Sequence, residues 1–154
     1  MDVDQILPNL YVGSCPETTA DLDELQAQGI SAVLNLQTDI DFDYVGVDWP
    51  SQRAHYVSLG LEVRRIPIRD FDDTDLHGQL HEAASALNAL IDDGHTVYVH
   101  CSGGVNRSPS VVIAYLYWFA NWSLEDATDH VLERHPCAPV MDVIRAAIWD
   151  RKRP

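Results

Sequence analysis

The stretch Val97-Tyr98-Val99-His100-Cys101-Ser102-Gly103-Gly104-Val105-Asn106-Arg107-Ser108-Pro109 runs from three apolar β-formers into a His-Cys pair, then a loop with two glycines, then an Arg-Ser pair that opens an apolar run. Five residues separate Cys101 from Arg107. A loop of that length, between a strand end and a helix start, can turn its backbone N–H groups inward around a tetrahedral anion at the positive end of the helix. The same field, together with Arg107, favours the thiolate of Cys101. Arg107 can hold two phosphoryl oxygens at once with its planar fork of donors. A buried cysteine after a strand is by itself usually packing; here the strand, the glycines and the Arg-Ser at the helix mouth occur together. They predict a thiol nucleophile at the bottom of a phosphate cradle formed by Ser102, Gly103, Gly104, Val105, Asn106 and Arg107.

Upstream, the chain alternates strand and helix signals. Gln5 to Gly13 predicts two short strands around a Pro8-Asn9 turn, and Thr18 to Gln28 an amphipathic helix closed by Gly29. Ile30 to Leu36 has the apolar run of a buried strand, the acidic and aromatic segment 38–48 is expected to be a loop, and a helix is expected from Trp49 to Leu59. Glu62 to Ile68 predicts a strand that leaves the sheet at Pro67. An acidic loop, Arg69 to Asp75, leads to a helix over 76–92, and Asp93-Gly94 turns into the strand before Cys101. Helices are expected over 108–121, from an N-cap at Ser123 to His135, and over 140–149. The pattern is α/β: one mainly parallel sheet of about five strands, wrapped by helices on both faces. The 154 residues are expected to be a single domain, with the cysteine loop at the carboxyl end of its strand, where open α/β sheets bind ligands.

Attack by a thiolate expels an alkoxide or phenoxide, which leaves faster when protonated. The loop after Ile68 offers Asp70, Asp72, Asp73 and Asp75 as acids. The formal net charge of −14 argues against a nucleic-acid partner, and with Lys152 the sole lysine, positive charge for an anionic substrate has to come from arginines such as Arg64, Arg65, Arg69 and Arg107. The apolar run Val111 to Ala120 is half the length that a membrane span needs, so no membrane partner is expected. Met1-Asp2-Val3-Asp4 lacks the apolar core of a secretory signal, and Cys15, Cys101 and Cys137 make no disulfide framework; a cytoplasmic location and a monomer are the expectation. His77 and His81 have helical metal-ligand spacing but lack a third ligand in register, so they are read as surface helix.

His100-Cys101-x-x-Gly104-x-x-Arg107-Ser108 resembles the signature of the cysteine-dependent protein tyrosine phosphatase superfamily, in its dual-specificity branch. The resemblance implies a metal-independent and cofactor-free phosphomonoester hydrolase that works through a cysteinyl-phosphate. It implies Cys101 as nucleophile, Arg107 as phosphate ligand, Ser108 as donor to the cysteine sulfur and His100 as a loop-orienting residue. Asp70 becomes the general acid, 31 residues before Cys101 and next to a strand reading Ile66-Pro67-Ile68-Arg69, with Asp72 as second candidate. The segments 6–14, 34–39, 69–72, 114–119, 135–139 and 144–147 are similar to plant glucan phosphatases of the starch-excess group. That group removes phosphate from glucose residues of starch and holds the sugar chain on aromatic surfaces; Tyr44, Trp49 and Phe71 are the corresponding candidates. Two positions depart from its pattern: Asn106 stands where glycine is usual, and Val45 replaces a ring. A phosphorylated glucan and a phosphoprotein both fit as substrate. A phosphate-reading module without turnover and a sulfur-transfer enzyme of the rhodanese kind are the competing classes. Cys15 or Cys137 could pair with Cys101 in a regulatory disulfide, as in some relatives.

Overall fold

A computed structural model describes residues 1–153. Five strands form one sheet: β1 (Val3–Leu7), β2 (Leu10–Gly13), β3 (Ala32–Asn35), β4 (Glu62–Arg65) and β5 (Val97–His100), in the order β1-β2-β5-β3-β4. Only the β1–β2 hairpin is antiparallel; β5 lies in the centre, parallel to β2 and β3 on either side. Among the described residues there are seven helices: α1 (Thr19–Ala27), α2 (Asp39–Val45), α3 (Trp49–Ser58), α4 (Asp73–Asp92), α5 (Arg107–Trp118), α6 (Leu124–Arg134) and α7 (Met141–Asp150). None is long and apolar enough to cross a membrane, among the described residues.

The period-2 alternation of the strands divides the core in two. Val97 and Val99 of β5, with Ala32 and Leu34 of β3, face a large cluster built with α4, α5, α6 and α7. Tyr98 and Val33 point to the other face, where Leu22 and Leu25 of α1 and Tyr56 of α3 cover them. The result is a fully buried central strand whose carboxyl end delivers Cys101 into the crevice between its neighbours.

The segment expected to be a loop over 38–48 is instead the short helix α2. Thr38 and Asp41 form a capping box, Gly46 ends the helix at φ 76°, and Phe42 is buried against Trp49 at 5.3 Å between ring centroids. An acidic surface hid an ordinary helix start, since Thr followed three residues later by Asp satisfies two of the free N–H groups of a first turn. Other boundaries lie within a few residues of expectation; β4 stops at Arg65, ahead of Pro67.

Candidate active site

Cys101 follows β5 directly and is 2 % exposed; its Sγ lies 3.3 Å from the hydroxyl of Ser108, in the first turn of α5. The loop between them is shaped by what its carbonyls meet. The carbonyl of Ser102 accepts from the N–H of Cys15 at 2.9 Å, that of Val105 from the N–H of Ala138 at 2.9 Å, and that of Asn106 from the hydroxyl of Ser110 at 2.6 Å. In a planar trans peptide the C=O and the following N–H point opposite ways. Carbonyls tied outward therefore turn the N–H groups of Gly103, Asn106 and Arg107 inward. These three have no protein acceptor among the described residues, as expected of donors kept for an anion.

Gly104 and Gly103 differ in what they contribute. Gly104 sits at φ +73°, and a Cβ there would lie 2.6 Å from the carbonyl carbon of Gly13. Gly103 has an ordinary φ, and its Cβ would meet only the side chain of Val105 at 3.7 Å. Gly104→Ala is expected to collapse activity and lower the melting temperature, while Gly103→Ala leaves both near wild type; kinetics beside thermal melts of the two variants check this. Asn106, at φ −113°, needs no glycine, so its departure from the usual residue carries no backbone strain.

Arg107 is 2 % exposed and fixed from two sides. Its Nη1 donates to the carbonyl of Ile68 and to Oδ2 of Asp41, both at 2.7 Å, and its Nη2 lies 3.2 Å from Oδ2 of Asp70. The guanidinium Nε is buried without a partner. Burial opposes the charges of this pair, but the hydrogen bonds outweigh it: Asp41 is held below the usual carboxylate range by Arg107 and Thr38, and Arg107 is raised. Sequence reasoning missed Asp41. Its signal was the Thr38–Asp41 capping box, which sets the carboxylate at the third position of α2, facing Arg107.

Within the acidic loop the four carboxylates separate. Asp72 caps α4, accepting from the N–H of Asp75 at 2.9 Å, and Asp75 accepts from the N–H of Arg69 at 2.7 Å. Asp73 lies in the first turn of α4. Asp70 alone of the four reaches Arg107, in a cleft of about 120 Å³ lined also by Phe71, Asn106 and Val140. His100 is fully buried; its Nδ1 lies 2.9 Å from the carbonyl of Cys101, and burial pushes it down to about 4. It is therefore a neutral ring with its hydrogen on Nδ1.

Two expectations need correction. The positive island does not form: Arg64 turns to Glu62 and Asp93, Arg65 to Asp39, and Arg69 to Asp72 and Asp75, leaving Arg107 at the loop. Neighbouring acids capture the other arginines because the surface around them is acidic. Trp49 is no exposed platform, being stacked on Phe42 with the Arg65 guanidinium 5.2 Å from its ring. Tyr44 and Phe71 are open, at 91 % and 89 % exposed. His77 and His81 diverge, His77 meeting Asp150 at 2.9 Å and His81 packing edge-on to Trp118. Cys15, Cys101 and Cys137 are free thiols; burial first, then nearby acids, pushes Cys15 and Cys137 up to about 11.

Residues 10–146 match the family described as dual specificity phosphatase, catalytic domain. Among curated proteins, the chain is 35 % identical over 147 residues to the phosphoglucan phosphatase DSP4, amyloplastic, of Castanea sativa, covering 94 % of this chain and 39 % of that protein. It is 37 % identical over 152 residues to the phosphoglucan phosphatase LSF1, chloroplastic, of Arabidopsis thaliana (97 % and 25 %), and 31 % identical over 147 residues to laforin of Mus musculus (88 % and 44 %). The chain thus spans less than half the length of these relatives. Among solved structures, Tk-PTP in its active form superposes with a TM-score of 0.76 at 25 % identity, covering 96 % of this chain and 94 % of that one. With the fold, the Cys101–Arg107 loop and a match over most of its length in agreement, the chain belongs to the dual-specificity phosphatase catalytic-domain family.

Proposed function

We propose that this chain hydrolyses phosphomonoesters through Cys101 and that its substrate is a phosphorylated glucan. In the first step the Cys101 thiolate attacks phosphorus, and the P–O bond to the leaving group breaks. Arg107 and the inward N–H groups hold the three equatorial oxygens, whose charge they stabilise in the transition state. Asp70, carrying its proton while substrate is bound, delivers it to the leaving oxygen. In the second step Asp70 as carboxylate takes a proton from water, which attacks phosphorus and expels the Cys101 sulfur. Ser108 donates a hydrogen bond to that sulfur as it leaves as thiolate.

The observation that carries the glucan reading is the exposed ring of Phe71 at the cleft. Phe71, next to Asp70, lines the cleft at Arg107, and Tyr44 lies one helical turn past Asp41, which also touches Arg107. Phe71 also holds a positive φ of 56°, a costly conformation for a side chain with a Cβ. Open rings near one phosphate-gripping guanidinium suit a neutral sugar chain bearing a phosphate. The formal net charge of −14 repels a substrate with many negative charges. The names of the plant relatives point the same way.

Phosphate release from solubilised phosphorylated amylopectin and from a phosphotyrosine peptide, measured side by side, tests this. Glucan is expected to be the faster substrate. Phe71→Ala is expected to lower kcat/KM on glucan about tenfold, the scale of one lost stacking contact, while p-nitrophenyl phosphate is hydrolysed as before. Preference for the peptide, unchanged in Phe71→Ala, makes the chain a protein phosphatase; release from neither makes it a phosphate-binding module. A monomer in the cytoplasm belongs to the same proposal, resting on the three free thiols.

A further inference from the structure

The carbonyl of Gly104 is held by an imidazole ring rather than by a backbone N–H or a hydroxyl. It lies 2.6 Å from Nε2 of His135, the residue that ends α6, while Nδ1 of the same ring lies 2.7 Å from Oδ2 of Asp4 in β1. His135 is buried, at 3 % exposed. By the opposition of C=O and N–H within one peptide, this contact turns the N–H of Val105 toward the anion site. We propose that Asp4 and His135 form a proton-dependent clamp on the phosphate loop, with His135 a positioning residue for oxyanion binding. The proposal rests on the phosphate-loop reading given above.

Both partners of the ring can only accept. A carboxylate and a carbonyl have no hydrogen to give, so each contact needs a hydrogen on the nitrogen that it meets. The clamp is complete when both ring nitrogens carry one. With a single ring hydrogen, the carboxylate is the stronger acceptor and keeps it. Nε2 then turns a lone pair on the Gly104 carbonyl, and the 104–105 peptide loses its anchor. A peptide flanked by glycine at φ +73° is the one most able to rotate. Rotation replaces an inward N–H by a carbonyl oxygen, which repels a phosphoryl group.

The charged and titratable neighbours of the ring are few. Asp2, Asp4, Glu24 and Met1 with its amino group line, with His135, Gly103 and Val105, a hollow of about 470 Å³. Cys137 lies near Asp4, and on α6 Arg134 is paired with Glu133 at 3.6 Å. Across the loop are Cys101 and the cluster of Arg107, Asp41 and Asp70.

Calorimetric binding of tungstate, an unreactive oxyanion, through the histidine range of pH tests the clamp without requiring turnover. Wild type is expected to lose about tenfold in affinity toward alkaline pH, the scale of one anchored hydrogen bond, beyond any change shared by all variants. His135→Ala is expected to bind weakly throughout. His135→Gln supplies an N–H where Nε2 stood, and Asp4→Asn supplies a donor to Nδ1 so that a neutral ring keeps its hydrogen for Gly104. Both are expected to hold the acid-pH affinity of wild type at every pH. If His135→Ala does not fold, that pair still decides. Wild-type affinity and pH dependence in all four proteins, or a glutamine variant as weak as alanine, overturns the clamp. Tungstate bound as expected by a wild type that does not hydrolyse p-nitrophenyl phosphate overturns the proposed function and leaves the clamp standing; wild type without tungstate binding overturns both.

Discussion

Cys101→Ser loses phosphate release on every substrate by a factor on the order of 10⁴ or more, while tungstate still binds. The expectation follows from which parts of the site the substitution touches. The hydroxyl that replaces Sγ is a far weaker nucleophile at neutral pH, because an alcohol holds its proton far more tightly than a thiol does. The anion cradle is unaffected. Its inward N–H groups are set by carbonyl ties to Cys15, Ala138 and Ser110, and its guanidinium by Asp41 and the Ile68 carbonyl, none of which involves the sulfur. Release of phosphate and binding of an oxyanion, measured on one preparation, separate the two. Retained hydrolysis would sink the cysteinyl-phosphate mechanism. Simultaneous loss of tungstate binding would mean that the cradle depends on the thiol.

The parts of this site read from sequence are those in which local chemistry is strong enough to act alone. A Cys and an Arg across a two-glycine loop between a strand and a helix leave little freedom, and the structure brings Cys101, Arg107 and Ser108 together as that spacing implies. The buried alternation of Val97, Tyr98 and Val99 likewise fixed a central strand. Asp41 and His135 were not legible in that way. Each acts on the loop from more than 30 residues away, through a tertiary contact that no local pattern encodes. Three arginines, Arg64, Arg65 and Arg69, failed for the opposite reason: they were offered to the substrate from charge alone. A long flexible side chain pairs with whichever acid the fold brings near, so Arg65 went to Asp39 and Arg69 to the α4 cap. The stacking of half-buried Trp49 was equally a matter of packing, since an aromatic next to a loop reads the same whether it faces sugar or Phe42.

Asp70→Ala and Asp72→Ala are expected to fail in different ways, and the difference tests the assignment of the acid. Asp70 lies against Arg107 and has no structural duty beyond an oxygen 3.2 Å from the N–H of Phe71. An incoming phosphoryl group competes for the same guanidinium hydrogens and turns the carboxyl toward the leaving oxygen. Removing it should cost about 10²–10⁴ in kcat on an alkyl phosphate such as a sugar ester, whose alkoxide leaves poorly without a proton. On p-nitrophenyl phosphate the loss in phosphorylating Cys101 should be small, because that phenolate leaves unaided. Asp72 instead closes the first turn of α4 through the N–H of Asp75. Its loss should lower stability by about 1 kcal/mol, a fall of roughly 2–4 °C in melting temperature for a domain of this size, with the leaving-group dependence of wild type intact. Steady-state rates across a series of leaving groups, beside thermal melts, read both effects. Should the steep dependence on leaving group arise in Asp72→Ala instead, the proton comes from the helix cap, and Asp70 serves only to hold Arg107 between turnovers.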